Sequence, residues 1–124
     1  MSEDGLPLEL RDFVVRHFTS VEQLELLILL ASRPEKAWTI GQLVLEIRSS
    51  RESIQQSVRH LQAGGFLVED GETFRYVPVS PTAPVIHELA KAYREYRVRI
   101  IAWIYSGSGA LRAFSDAFKI KPKE

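Results

Sequence analysis

Between Arg51 and Arg59 the chain places two arginines and two glutamines, with a pair of serines just before them. Arg51, Gln55, Gln56 and Arg59 carry planar hydrogen-bonding groups. A guanidinium pairs bidentately with the edge of guanine and a carboxamide with adenine, each for about 1–3 kcal/mol of discrimination. Thr39, Ser49 and Ser50 carry hydroxyls at positions where helices are expected to begin, so hydroxyl and backbone N–H can meet the same phosphate. Arg75 adds a cation further along. The same set also reads as a solvated helix face, because arginine and glutamine are good helix formers.

The chain holds little else arranged for chemistry. His17, His60 and His87 are scattered, with no HExxH spacing and no carboxylate cluster beside them. The Gly107-Ser108-Gly109 stretch follows a helical pattern and is too short to cradle a phosphate. No Ser/His/Asp arrangement can be argued from order or spacing. The absence of cysteine excludes disulfides and thiolate metal sites. No enzymatic activity, cofactor or metal is therefore expected.

Hydrophobic spacing defines the elements that would position these groups. Leu10, Phe13, Val14, His17 and Phe18 predict an amphipathic helix over 7–18. Ser20 with Gln23 forms the pattern of a capping box, and Val21, Leu24, Leu27, Ile28 and Ala31 predict the buried stripe of a second helix, ended by Arg33-Pro34. Its run LELLILLA is apolar almost all round and belongs in the core. Thr39 with Gln42 is a second capping box, opening a helix over 40–47 with Ile40, Leu43, Val44 and Ile47 on one face. Ser49 with Glu52 gives a third, and the helix it opens runs to Gln62 or Ala63 with Ile54, Val58 and Leu61 inward. Glu52, Gln56, Arg59 and Ala63 then turn outward, with Gln55 on a flank.

Gly64-Gly65 supplies the positive φ of a helix stop. Phe66–Glu69 and Thr73–Val77 read as strands about an Asp70-Gly71 turn of type I′. Pro78, Pro81 and Pro84 mark a stiff linker, followed by one long helix over 85–106. Along it Ile86, Leu89, Tyr93, Tyr96, Ile100 and Trp103, spaced 3, 4, 3, 4, 3, form a heptad seam.

This order of helix, helix, turn, helix, glycine stop, two-stranded hairpin and long helix resembles that of bacterial winged helix-turn-helix regulators of the MarR and PadR types. The likeness rests on Trp38-Thr39-Ile40, on Ser49 to Gly65 and on Phe66 to Val77, and covers about residues 20–79. It implies a mainly α fold with a small β-hairpin wing (α+β), followed by a long C-terminal helix. Residues 1–79 would form the winged domain, with an N-terminal helix over 7–18 and a core over 20–79; residues 80–124 would form a linker, the helix over 85–106 and a short tail.

The resemblance further implies a DNA-binding transcription regulator acting as a homodimer in the cytoplasm. Arg51, Gln55, Gln56 and Arg59 would meet bases, Thr39, Ser49 and Ser50 phosphates, and Arg75 the backbone beside the wing. Leu89, Tyr93, Tyr96, Ile100 and Trp103 would form the dimer interface, or pack on the chain's own first helices.

Charge supports a second reading. Residues 1–79 hold eight Lys/Arg against twelve Asp/Glu, a net of −4, and residues 80–124 hold eight against four, a net of +4. The wing tip, Glu69, Asp70, Gly71 and Glu72, has the wrong sign for gripping phosphate. A winged module that binds a protein partner and not DNA fits this pattern. The tail carries Leu111, Phe114 and Phe118, then Lys119, Lys121 and Lys123; it is expected to fold back on the chain rather than to rest on a membrane. No signal peptide or membrane-spanning stretch is expected.

Overall fold

The structure, a computed structural model, describes residues 6–77 and 82–107. These contain six helices and three short strands: α1 (Leu8–His17), α2 (Val21–Ser32), β1 (Trp38–Thr39), α3 (Ile40–Ile47), α4 (Arg51–Ala63), β2 (Leu67–Asp70), β3 (Thr73–Tyr76), α5 (Thr82–Glu95) and α6 (Arg97–Gly107). The class is α+β, mostly helical with a small antiparallel sheet. Pro78, Pro81 and the 110–124 tail lie outside the described residues.

The chain divides into two compact units. One spans Glu22–Ala90; the other joins Met1–Val21 to Lys91–Glu124. The boundary expected after residue 79 is therefore not the one observed. The physical reason is pairing of apolar stripes: α1 buries Leu10, Phe13 and Val14 and packs on α6, which buries Ile100, Trp103 and Ile104. His17 is half-buried, with its ring 4.5 Å from that of Phe13.

In the Glu22–Ala90 unit, α2 is heavily buried, as its composition requires. Its buried side is Gln23, Leu24, Leu26, Leu27 and Leu30, while Val21, Ile28 and Ala31 are only half-buried. A helix so uniformly apolar offers no single stripe, so packing chooses which side goes deepest. Thr39 caps α3 as its spacing predicts: its hydroxyl accepts from the Gln42 N–H at 3.1 Å, and its own N–H donates to Gln42 Oε1 at 3.0 Å. Only Leu43 of the expected α3 face is fully buried; Ile40, Val44 and Ile47 are half-buried.

At the end of α3, Arg48 adopts φ 64° and ψ 54°, with its N–H on the Val44 carbonyl at 2.8 Å. That left-handed turn ends α3 and within three residues leads into α4, which packs on α3.

The end of α4 is a Schellman motif. Gly65 N–H donates to the Gln62 carbonyl at 2.9 Å and Phe66 N–H to the Leu61 carbonyl at 3.1 Å. Of the two glycines only Gly65 has positive φ, at 84°, while Gly64 is right-handed at −79°. Gly65→Ala is expected to cost about 1–2 kcal/mol, because the Cβ meets no neighbour but the left-handed backbone disfavours any L side chain. Urea unfolding followed by circular dichroism measures the loss.

The hairpin forms one residue out of the expected register. Asp70 pairs with Thr73, so the two-residue loop is Gly71-Glu72 and not Asp70-Gly71. Gly71 carries the positive φ, 66°, at the first loop position, which is where a II′ turn needs its glycine. A third strand was not expected: Trp38 pairs with Phe74 and Thr39 with Thr73, giving the order β1-β3-β2.

The helix expected over 85–106 is broken at Tyr96 into α5 and α6. The bonds from Tyr96 N–H to Ala92 carbonyl, 2.7 Å, and from Ile100 N–H to Tyr96 carbonyl, 3.0 Å, persist on either side. Pro84 lies inside the first turn of α5 rather than in a linker, a place where its missing N–H is not needed. Among the described residues no helix is long and apolar enough to cross a membrane.

Candidate functional site

The α4 helix starts at Arg51 because Ser50, in an extended conformation, accepts the Ser53 N–H at 3.0 Å. The cap is Ser50, not Ser49, so the expected Ser49–Glu52 capping box is absent. Ile54, Val58 and Leu61 are almost completely buried, and they roll the helix so that Arg51, Glu52, Gln56, Arg59 and Ala63 are exposed with Gln55 half-buried. This is the outward face that the sequence predicts.

The serines have a different task from the one expected. Glu22, in the first turn of α2, reaches the start of α4. Ser49 Oγ donates to Glu22 Oε1 at 2.6 Å, Ser53 Oγ lies 2.9 Å from each carboxylate oxygen, and Ser57 Oγ donates to Oε2 at 2.5 Å. Ser49 therefore spends its hydroxyl proton on Glu22, inside the protein, and not on a phosphate. Ser50 and Thr39 use their oxygens as cap acceptors, which leaves each hydroxyl hydrogen directed elsewhere. Ser57 is 5% exposed, so its hydroxyl depends on this partner. The serines recur at every fourth residue (Ser49, Ser53, Ser57), a spacing visible in the sequence. The position of the acceptor, on α2, has no such signal.

Burial pushes the Glu22 carboxyl up, but the hydroxyls of Ser49, Ser57 and Ser53 together outweigh it and hold the group below the ordinary glutamate range. A depressed folded value means that the stabilisation is complete above the unfolded value and disappears as pH falls through the folded one. The stability difference between wild type and Glu22→Gln should thus be constant above about pH 5 and shrink steadily at more acid pH. Urea midpoints collected for both proteins across that window check it.

Arg75, on β3, is exposed between buried Phe74 and Tyr76 and stands opposite Val68. Beyond it the hairpin tip is acidic. Glu69, Asp70 and Glu72 are all exposed, and Gln62 Nε2 donates to Glu69 Oε1 at 3.3 Å, tying α4 to β2. The start of α3 (Thr39, Ile40, Gly41), Arg51 and the hairpin (Glu69, Gly71, Glu72, Phe74) border an open cleft of about 540 Å³. One wall carries a guanidinium and the other two carboxylates, so the cleft suits a ligand bearing both signs better than it suits a bare anion.

The residues expected at a dimer interface are differently placed. Leu89, Tyr93, Ile100 and Trp103 are buried within the single chain, and Tyr96 is half-buried. With less than a tenth of their surface accessible, the first four have little to offer a second chain. Arg97 and Arg99 lie over the Tyr93 and Tyr96 rings, at 5.7 and 5.6 Å from the centroids. Val98, at 79% exposure, and Tyr105, at 60%, are instead the large apolar side chains that α6 presents to solvent.

Among the described residues no group of three or more His, Asp or Glu side chains is placed to hold a metal ion. No protein-family model matches the chain, and neither a curated protein nor a solved structure does.

Proposed function

We propose that the block from α2 to β3 is a winged helix-turn-helix that binds duplex DNA through the outward face of α4, and that the protein acts as a homodimeric transcription regulator. The carrying observation is the combination on one exposed helix face of Arg51, Gln56 and Arg59, with Gln55 at its edge. The order β1-β3-β2 supports the wing, because it sets the hairpin beside the start of α3. Arg75, exposed on β3, supplies a backbone contact.

Few cations take part, so phosphate contacts alone give modest affinity. Pairing of two chains doubles them and spaces two reading helices by one DNA turn. The test is a fluorescence-anisotropy titration with generic duplex at low salt. A Kd between about 1 and 100 µM supports the reading; absence of binding throughout that range removes it.

Self-association uses surface that the monomer leaves open. Val98→Glu is expected to shift the sedimentation of the protein from dimer to monomer, with little change in thermal midpoint, because a side chain 79% exposed contributes almost nothing to the core.

The second reading, a winged module that binds a protein partner, is favoured by the acidic hairpin tip and the two-signed cleft beside Arg51. Duplex titration separates the two.

A further inference from the structure

We propose that Glu22 is the positioning residue for α4: one carboxylate, bound by three serines, fixes which stripe of that helix faces outward. What the stripe then binds rests on the function proposed above; the positioning does not.

Ser53 and Ser57 lie one turn apart on α4, and Ser49 stands just ahead of its cap, Ser50. Arg51 stands two residues before Ser53 and Arg59 two residues beyond Ser57, each about 200° round the helix from it, with Gln55 between them at the edge. The held line and the presented stripe are therefore opposite sides of the same rod. Ile54, Val58 and Leu61 also bind α4 to its unit, but apolar contact is non-directional and tolerates a small roll or slide. Hydrogen bonds do not. With donor–acceptor distances of 2.5–2.9 Å from three hydroxyls to two oxygens of one side chain, any slide along the axis or roll about it opens at least one of them. The clasp also places a negative charge beside the first turn of α4, where the helix dipole favours it.

Amide hydrogen exchange and a double-mutant cycle test this together, with the full chain and a generic duplex. Glu22→Gln keeps the shape and loses one acceptor oxygen; Glu22→Ala loses both. In each, exchange over residues 49–59 should speed up by a factor about 10-fold larger than exchange over residues 24–30 of α2, which reports the overall loss of stability. Acceleration of both segments by the same factor is general destabilisation alone and overturns the inference. In the cycle, Arg59→Ala should weaken duplex binding about 10-fold in wild type and less than about 2-fold in Glu22→Gln, since a misplaced arginine has little left to lose. Equal losses in the two backgrounds, or unchanged exchange over 49–59, overturn the inference. If wild type does not bind duplex, the functional proposal falls and hydrogen exchange alone decides the role of Glu22. If Glu22→Ala fails to fold, Glu22→Gln carries both measurements.

Discussion

Alanine at both Arg51 and Arg59 is expected to remove duplex binding from the measurable range. Each arginine, facing solvent on α4, stands to contribute about 1–3 kcal/mol as a bidentate base contact, or somewhat less as a phosphate contact. Two such losses multiply to about 30-fold at the low end and beyond 1,000-fold at the high end. Starting from micromolar affinity, even the smaller figure leaves almost no signal. The salt dependence carries separate information. If both side chains neutralise phosphates, the slope of log K against log salt flattens by about 0.9 for each; if they read bases, affinity falls with the slope nearly intact. Lys91→Ala, an exposed cation on α5 far along the chain from α4, should change neither. Glu52 shares the face of the two arginines, and Glu52→Gln should strengthen binding by removing a charge that repels the backbone. Binding that survives the double substitution would place the interface elsewhere.

The largest loss of stability from a single polar substitution should come from Glu22→Ala. It strips the acceptor from three hydroxyls, one of them on Ser57 at 5% exposure. An unsatisfied buried hydroxyl costs about 1–3 kcal/mol, and a hydrogen bond to a charged group is worth about 1.5–3 kcal/mol. Because Glu22 and Ser49 are only half-buried and water replaces part of the loss, about 3 kcal/mol is the expected total rather than the sum. The reverse substitution, Ser53 and Ser57 both to alanine with Glu22 kept, should also destabilise, since the carboxylate then keeps only Ser49 of the three hydroxyls that offset its burial. Combining all three should recover much of the loss, because removing these donors and the acceptor together leaves only the half-buried Ser49 hydroxyl to find water. Urea unfolding of the three proteins gives the comparison. Simple additivity would show that the cluster is not a coupled unit.

Local rules made much of the architecture legible. Thr39 and Gln42 alone place the start of α3, because a capping box closes within four residues. Gly64-Gly65 and the apolar spacing of Ile54, Val58 and Leu61 place the end and inward face of α4, and with them the outward face that carries Arg51, Gln56 and Arg59. Where two local choices were nearly equal, neighbours decided. Ser49 and Ser50 both make good caps, and the clasp by Glu22 draws Ser49 away. Asp70-Gly71 and Gly71-Glu72 both make acceptable turns, and pairing of β3 with β1 and β2 selects the second.

The aromatic seam shows the limit most clearly. Period and composition marked Leu89, Tyr93, Ile100 and Trp103 as buried, but a hydrophobic stripe does not name its partner, since burial of apolar area is non-directional. The tertiary structure decided that the chain buries them itself and that Val98 and Tyr105 remain outside.

By itself, then, the sequence determined what depends on residues a few positions apart: the cap of α3, the stop of α4, the presence of a hairpin though not its register, and the side of α4 turned to solvent. Contacts across tens of residues had to wait for the fold. Glu22 meets Ser49, Ser53 and Ser57 only because α2 and α4 are packed in one unit, and β1 exists only because β3 comes back to it. Hydrogen-bond donors advertise that they need an acceptor, yet nothing in a string of letters says which one the packed chain will bring within 3 Å.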